Sequence, residues 1–356
     1  MSLHKPDTTG GFAPPLLIAD DVALPSLGCV RADGRLDASI LSPALQLVLL
    51  RAVRVRNIVS SMLIEGERVD LARAVSVLDS GVADTPNERA ILQISRVYDR
   101  IAHGTNIPLT VSSLCKVHGE IFDGVLPQGG AGRLKSRANA IVEVGTNRIL
   151  FIPTPPERVA EELESLFGWL EEMRYRYPPP VVAGVVFAEF QGIHPFSDGN
   201  GRTGRLLNLS LLAQLGLKNA PLVPLDAQFF RTRARYYEML ATTNSGKRYD
   251  LWLRYFVKQL GRAYGLSVAH SDLREVVDRF EGRAVRSVLT WILSGSGTWF
   301  KHGDFPNPNH FSLPAITQAL RKLTVAGVLQ AEGERRGRKY RLSPGFVSRL
   351  DSSSQT

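Results

Sequence analysis

Cysteine is scarce in this chain, and its scarcity excludes two classes of protein. Cys29 and Cys115 are the two cysteines among 356 residues, and no metal-ligand spacing joins them. Small secreted domains held together by disulfides carry many more cysteines, and structural zinc sites need closely spaced pairs. The cysteine content favours a protein of a reducing compartment, and we expect a cytoplasmic location.

Long hydrophobic runs are missing as well. The apolar stretch Leu41–Leu50 is short and is followed by Arg51, Arg54 and Arg56, so it is not expected to span a membrane. The N-terminus lacks a basic region followed by an apolar block, and we therefore expect no signal peptide. Internal repeats are absent too. With 44% hydrophobic and 22% charged residues, a chain of this length suits two or three globular domains.

Acidic residues are fewer than basic residues in this chain. The chain has 43 lysines and arginines against 34 aspartates and glutamates, which gives a formal net charge of +9. A basic protein suits anionic partners such as nucleotides, nucleic acids or acidic protein surfaces. Charge alone does not choose among these partners, so the choice rests on local motifs.

The richest motif is His194–Arg205, which reads HPFSDGNGRTGR. Glycines on both sides of Asn200 can leave backbone N–H groups facing outward. The apolar run Leu206–Leu217 follows at once and predicts a helix whose N-terminus adds a positive dipole. These features together predict an anion site suited to phosphate.

The polar side chains of the same motif supply the groups that phosphate chemistry needs. Arg202 and Arg205 offer charge and forked donors for phosphate oxygens. Asp198 is a hard oxygen ligand of the kind that Mg²⁺ takes alongside nucleotide phosphates. His194 can accept a proton near neutral pH. A base, a metal ligand and a phosphate cradle predict a phosphoryl or nucleotidyl transferase.

This motif resembles the signature of Fic-domain proteins, and every defining position of that signature is met. The resemblance implies a mainly α-helical Fic core, in which the apolar helix Val181–Ile193 delivers His194. It also implies transfer of AMP from ATP, with Mg²⁺ held by Asp198, to a Ser, Thr or Tyr hydroxyl of a target protein. His194 would take the proton of that hydroxyl as it attacks the α-phosphorus.

The resemblance further implies how the nucleotide is held. Arg202 would bind the β-phosphate side and Arg205 the γ-phosphate. Backbone N–H groups of Gly199 to Gly201 and the Asn200 amide would stabilise phosphate oxygens, and Tyr237 and Asn244 would contact the adenine. The full set of expected nucleotide contacts is Glu65, His194, Gly199, Asn200, Gly201, Arg202, Thr203, Gly204, Arg205, Tyr237 and Asn244.

A second motif lies more than a hundred residues upstream. Ser42 and Pro43 predict the start of a helix that stops at Glu65 and Gly66, because glycine is a common helix C-cap. The segment SMLIEG, residues 61–66, resembles the inhibitory motif of Fic proteins, whose regulatory positions are here Ser61, Glu65 and Gly66. The resemblance implies that Glu65 pairs with Arg205, competes with the ATP γ-phosphate and holds the enzyme in a low-activity state.

Three domains are predicted along the chain. Residues 1–105 form a helical region that contains the inhibitory helix, and residues 106–266 form the Fic catalytic domain. Within that domain, two β-prone runs over residues 140–152 flank a turn. In Fic proteins a hairpin flap stands here and docks the target as an added strand. A plain hairpin that covers the core is the alternative.

Residues 280–345 resemble a winged helix, with two helices followed by two strands around a basic turn. One interpretation of this pattern is DNA binding through residues 312–342. The alternative is an interaction or dimerisation module, because this fold is widely reused. A homodimer is a further hypothesis.

Three other functions stay open at this level. The same fold can remove AMP from a modified protein, with Glu65 positioning the attacking water. Relatives with altered loops use other nucleotides or phosphate donors, although the intact signature and the pair Tyr237 and Asn244 favour ATP. Finally, the chain could act as a DNA-binding regulator whose Fic core only senses nucleotide.

Overall fold

The structure is a computed structural model of the whole chain, and most of its residues lie in helices. It describes residues 11–14, 16, 18–37, 43–142, 149–246, 249–271, 282–295, 299–307, 310–334 and 337–344. The mainly α-helical fold agrees with the prediction. Within these described ranges, no helix is both long enough and apolar enough to cross a membrane.

The N-terminal region contributes four helices. They are α1 (Asp20–Arg35), α2 (Pro43–Ile64), α3 (Leu71–Ser80) and α4 (Pro86–Ala102). Helix α4 begins with the capping box that the sequence predicts, in which Thr85 and Glu88 each bond to the other's backbone N–H. Helix α1 was not predicted, because Pro25 and two glycines interrupt its apolar pattern. The predicted N-cap Ser42 lies outside the described residues.

The predicted Fic core follows, and its elements surround one central helix. They are α5 (Val111–Phe122), β1 (Ile141–Val142), β2 (Ile149–Phe151), α6 (Val159–Met173), α7 (Pro179–Ile193), α8 (Asn200–Gln214), α9 (Leu225–Arg231), α10 (Arg233–Gly246) and α11 (Tyr249–Ser271). Every residue of α7 from Pro180 to Ile193 is buried, as its almost wholly apolar sequence predicts. Helices α8 and α11 pack on α7, and α1 packs on α11.

Two boundaries in the core differ from the sequence prediction. Helix α8 begins at Asn200 rather than Leu206, so both signature arginines lie on a helix instead of a loop. The single helix expected near residues 226–243 is two helices, with Thr232 between them. Strands β1 and β2 pair antiparallel, as the hairpin prediction requires. The turn that joins them lies outside the described residues.

In the part of the C-terminal unit that the structure describes, there are two helices and a small sheet. Its elements are α12 (Arg283–Gly295), β3 (Phe300–Lys301), α13 (Leu313–Val325), β4 (Leu329–Glu332) and β5 (Lys339–Leu342). The sheet is antiparallel, with order β3-β5-β4, and β3 was not predicted because it has only two residues. Helix α12 packs on α2, so α2 contacts both the C-terminal unit and the Fic core.

Candidate active site

His194 stands at the C-terminal end of the buried helix α7. Its backbone is left-handed, with φ of 53°, and its N–H donates to Phe190 O at 3.0 Å. A left-handed conformation is uncommon for a residue other than glycine. The left-handed conformation of His194 turns the chain at the end of α7. Because α7 is packed on all sides, the position of the imidazole at this end of the helix is fixed.

The imidazole of His194 is neutral at physiological pH. Burial and the nearby charge of Lys135 lower its pKa to about 4. Its Nδ1 lies 3.4 Å from Gln191 O. A neutral ring that donates from Nδ1 to this carbonyl keeps Nε2 free to accept a proton. His194 is therefore suited to act as a general base.

Lys135 is a site residue that sequence reasoning missed. Its Nζ donates to Asn139 Oδ1 at 3.0 Å and to Ile193 O at 3.3 Å, and its N–H donates to Pro195 O at 2.9 Å. Burial lowers the pKa of this lysine to about 8. No signal in the sequence distinguishes it from a surface lysine, because two of its three partners, Ile193 and Pro195, lie about sixty residues away.

The loop between α7 and α8 is closed by the side chain of Asn200. Its Oδ1 accepts from Phe196 N at 2.8 Å, and its Nδ2 donates to Phe196 O at 2.9 Å. This side chain is buried, with 2% exposure. Both ends of this amide thus serve the loop, and the contact of its second N–H with phosphate remains a prediction.

Gly199 allows the loop to turn into α8. Its φ is 77°, and a Cβ there would lie 2.4 Å from the Phe122 ring. Its N–H donates to the Asp198 carboxylate, and its predicted contact with phosphate remains a prediction. The first helical bond runs from Thr203 N to Gly199 O at 3.0 Å. The N–H groups of residues 200–202 precede that bond and form the anion-binding end of α8.

Arg205 is held by the end of helix α2. Its Nε donates to Ser61 Oγ at 2.7 Å, and its Nη2 donates to Ser61 O at 3.0 Å. Nη2 also pairs with Glu65 Oε1 at 2.7 Å. The Arg205 side chain is 1% exposed and that of Glu65 is 28% exposed. The ion pair predicted from the two motifs is therefore present, and Ser61 reinforces it.

Glu65 also covers the N-terminus of α8. A Cβ built on Gly201 would lie 2.0 Å from Glu65 Oε1. The carboxylate thus rests against the backbone of the first helical turn, where its charge is favoured by the helix dipole. It occupies the position that the sequence predicts for a phosphate.

Two groups fix the end of α2 on which Glu65 stands. Gly66 has φ of 86° and its N–H donates to Leu63 O at 3.1 Å, which terminates the helix as predicted. The Tyr237 hydroxyl donates to Ile64 O at 2.9 Å, while its ring remains 45% exposed. Asn244 belongs to α10, but its side chain lies outside the described residues.

Asp198 and Arg202 flank the open side of the cradle. Asp198 is 63% exposed, and its Oδ1 lies 3.5 Å from Arg202 Nη2. The Arg202 guanidinium lies over the Phe122 ring, 4.5 Å from its centroid. A single exposed carboxylate fits Mg²⁺ that is otherwise held by phosphate oxygens. Among the described residues, no three His, Cys, Asp or Glu side chains form a metal cluster.

Two residues of the predicted nucleotide set lie in the packed interior. Thr203 is fully buried. A Cβ on Gly204 would lie 2.2 Å from Gln191 Nε2 and 2.9 Å from Phe190 Cδ1, so this face of α8 is packed against α7. Thr203 and Gly204 therefore serve the packing of α8 on α7 and are not among the proposed nucleotide contacts.

Together these groups define a class of site. A neutral base stands beside a helix N-terminus that is suited to phosphate, and two buried arginines and one exposed carboxylate surround it. Comparison with known proteins then identifies the domain. Residues 108–212 match the model of the Fic/DOC family, so this chain contains a Fic domain.

Curated relatives carry the same domain. The chain is 30% identical over 227 residues to Protein adenylyltransferase Fic of Culex quinquefasciatus, covering 61% of this chain and 43% of that protein. It is 31% identical over 206 residues to Protein adenylyltransferase fic-1 of Caenorhabditis elegans, covering 56% and 37%. The chain thus spans about two fifths of the length of these relatives.

Solved structures share the fold over longer ranges. A Fic family protein from Desulfovibrio desulfuricans G20 superposes with a TM-score of 0.63 at 20% identity, covering 94% of this chain and 99% of that one. A Fic domain containing signalling protein from Bacteroides thetaiotaomicron VPI-5482 gives a TM-score of 0.57 at 17% identity, covering 70% and 97%. At these identities the likeness concerns the fold alone.

Proposed function

We propose that this chain is a protein adenylyltransferase that transfers AMP from ATP to a Ser, Thr or Tyr hydroxyl of a target protein. The curated relatives named protein adenylyltransferase support this reaction for the Fic domain. The observation that carries the proposal is the neutral His194 beside the N-terminus of α8, because this pair provides a base next to an anion site.

In the proposed reaction, His194 Nε2 accepts the hydroxyl proton while the hydroxyl oxygen attacks the α-phosphorus and pyrophosphate leaves. Backbone N–H groups at the start of α8 donate to phosphate oxygens on which charge develops. Arg202 binds the β-phosphate side, and Arg205 binds the γ-phosphate after Glu65 has left. Mg²⁺ held by Asp198 would neutralise phosphate charge when it is bound.

We also propose that Glu65 inhibits this reaction by occupying the γ-phosphate site. Its carboxylate pairs with Arg205 at 2.7 Å and rests against Gly201. A γ-phosphate at the same place would meet a like charge at hydrogen-bonding distance, which costs several kcal/mol even at a screened effective dielectric constant of about 20. ATP can then take its productive pose only if Glu65 moves away.

Labelled ATP tests both proposals. We expect Glu65→Gly to incorporate labelled AMP into protein, including itself, far faster than wild type. Adding His194→Ala to that variant should abolish transfer while ATP binding persists. Equal incorporation by wild type and Glu65→Gly would contradict inhibition, and transfer by the His194→Ala double variant would contradict the base assignment.

The hairpin β1–β2 is the proposed docking edge for the target. It lies in the Fic core and contacts α10. A target segment added as a further strand would present its hydroxyl toward His194. Proline in place of Ile149 should lower transfer to target proteins without changing ATP binding, because proline removes a backbone donor.

Removal of AMP from a modified protein is the second candidate. Burial and Lys135 lower the pKa of His194, and the charge of Glu65 opposes this change, so the Glu65 carboxylate could orient a water beside the base. Incubating AMP-modified protein with wild type and Glu65→Gly separates the two directions. Loss of label that needs Glu65 would favour removal.

DNA binding, a cytoplasmic location and a homodimer are further proposals. DNA binding through residues 312–342 is supported by exposed Arg338 and Lys339 beside β5. Salt-dependent duplex binding that is lost in Arg338→Ala/Lys339→Ala would test it. A cytoplasmic location and a homodimer belong to the same group and need localisation and sedimentation measurements.

A further inference from the structure

A second carboxylate, that of Asp226, belongs to a residue that lines the same cavity as Arg205. This small cavity of about 20 Å³ lies behind the site, and its lining includes Asn57, Ser61, Arg205, Asn208 and Asp226. A cavity of this volume has room for one water molecule. Arg205 Nη1 and Asn208 Oδ1 are both buried without a hydrogen-bond partner in the described residues. The cavity is therefore polar, and Arg205 has donor capacity left over after its contacts with Ser61 and Glu65.

Asp226 is fixed in this cavity by its own backbone. It lies in the first turn of α9, and its N–H donates to Asn57 Oδ1 at 3.2 Å. The Asn57 amide in turn donates to Val223 O at 3.0 Å and to Tyr98 Oη at 3.2 Å. This network holds the start of α9 against α2 and α4, so Asp226 is fixed at the cavity that Arg205 also lines.

The two groups affect each other electrostatically. Burial raises the pKa of Asp226 to about 6, and Arg205 opposes that rise. Conversely, burial lowers the pKa of Arg205, and Glu65, Tyr236 and Asp226, in that order, raise it. In the described residues the Asp226 carboxylate makes no direct ion pair. Asp226 therefore acts on Arg205 through charge and the shared cavity.

The proposed reaction needs an interval in which Arg205 has lost Glu65 and has not yet met the γ-phosphate. A guanidinium that is 1% exposed would then be a buried charge with no counter-ion, which is strongly unfavourable. Ser61 supplies neutral acceptors only. The negative charge of a nearby carboxylate offsets this cost and stabilises the Arg205 guanidinium in its position.

We propose that Asp226 is a positioning residue that keeps Arg205 aimed at the γ-phosphate site once Glu65 has left. This inference rests on the proposed function, because it assumes that Arg205 binds the γ-phosphate. Asp226 lies on α9, outside both the signature His194–Arg205 and the inhibitory motif at residues 61–66. The inference therefore gives α9 a role in nucleotide recognition.

The test measures equilibrium binding of ATP and ADP, each with Mg²⁺, to Glu65→Gly and to Glu65→Gly/Asp226→Asn. ADP lacks the γ-phosphate, so the preference for ATP over ADP reports on Arg205. We expect Asp226→Asn to weaken ATP binding about tenfold or more while ADP affinity stays unchanged. A merely structural role for Asp226 would change both affinities together.

Asp33→Asn is the matched control in the same background. Asp33 is also a buried carboxylate, bonded to Asn219 N at 3.0 Å and to the Tyr264 hydroxyl at 2.8 Å, and it does not line the Arg205 cavity. We expect its loss to lower stability without changing the preference for ATP. If Asp226→Asn does not yield folded protein, Asp226→Ser keeps a small polar side chain for the same measurement.

Two outcomes overturn the inference. They are an unchanged preference for ATP in the Asp226 variant, and tighter ATP binding, which would mean that Asp226 only opposes the γ-phosphate by charge. Because the readout is binding, it does not depend on AMP transfer. If Glu65→Gly prefers ATP but modifies no protein, the proposed function fails while this inference remains open to the same test.

Discussion

Removing Glu65 should make the protein less stable and, at the same time, more responsive to ATP. In Glu65→Gly the Arg205 guanidinium loses its ion pair at 2.7 Å. Glu65 lies just beyond the last residue of α2, so glycine there adds no cost inside the helix. The change in stability therefore reports on the ion pair.

The size of the effect follows from the burial of the two partners. Breaking a buried ion pair costs roughly 3–5 kcal/mol, whereas a hydrogen bond to a charged group is worth roughly 1.5–3 kcal/mol. Glu65 is 28% exposed, and Arg205 keeps both of its bonds to Ser61. We therefore expect a loss of about 2 kcal/mol, which lowers the melting temperature of a chain of this length by roughly 3 °C.

Thermal melts with and without MgATP give the measurement. At about a hundred times its Kd, a ligand stabilises the native state by roughly 2.7 kcal/mol. Only the variant gains the full amount, because wild type must first break its ion pair. Saturating ATP should therefore bring the two melting temperatures together.

Asp84→Gly is a suitable control for this experiment. Asp84 is an exposed acid in a loop that pairs with Arg73 at the surface, so its loss should cost less than about 1 kcal/mol and leave the ATP response unchanged. Equal ATP shifts in wild type and Glu65→Gly would refute the reasoning, because Glu65 would then not compete with the nucleotide.

Two further changes test the groups around the switch. Tyr237→Phe removes a hydrogen bond of about 1 kcal/mol to Ile64 O, and we expect the loosened end of α2 to raise AMP incorporation severalfold in otherwise wild-type protein, measured with labelled ATP. Lys135→Met removes a charge that lowers the pKa of His194, so the acidic limb of the pH–rate profile of Glu65→Gly should move to higher pH; a limb that stays or moves to lower pH would contradict the assignment.

Local signals in the sequence predict a large part of this fold. The capping box at Thr85 and the glycine stop at Gly66 act over a few residues, and the structure contains both. The pairing of Glu65 with Arg205 is different, because 140 residues separate the partners. This ion pair was predicted only because two motifs resemble those of one family. Neither composition nor periodicity predicts it.

The contacts that were not predicted have a common physical cause, which is competition for hydrogen-bonding groups inside the fold. The Asn200 amide looks available for phosphate in the sequence, yet it is used to close its own loop. Lys135 looks like a surface cation, yet it binds the carbonyl that precedes His194. Which of several partners a polar side chain takes depends on long-range packing, and a single sequence does not record that choice.

The energy of the Glu65–Arg205 pair also sets the fraction of wild-type molecules that are in the inhibited, paired state. A preference of about 2 kcal/mol corresponds to a ratio of roughly 30 to 1 between the paired and released states, so roughly 3% of wild-type molecules would be released at any time. Wild type would then keep about one thirtieth of the activity of Glu65→Gly. Stability and activity are thus two measurements of one equilibrium. An activation far above thirtyfold together with a stability loss of only 2 kcal/mol would mean that Glu65 blocks the reaction in some way besides holding Arg205.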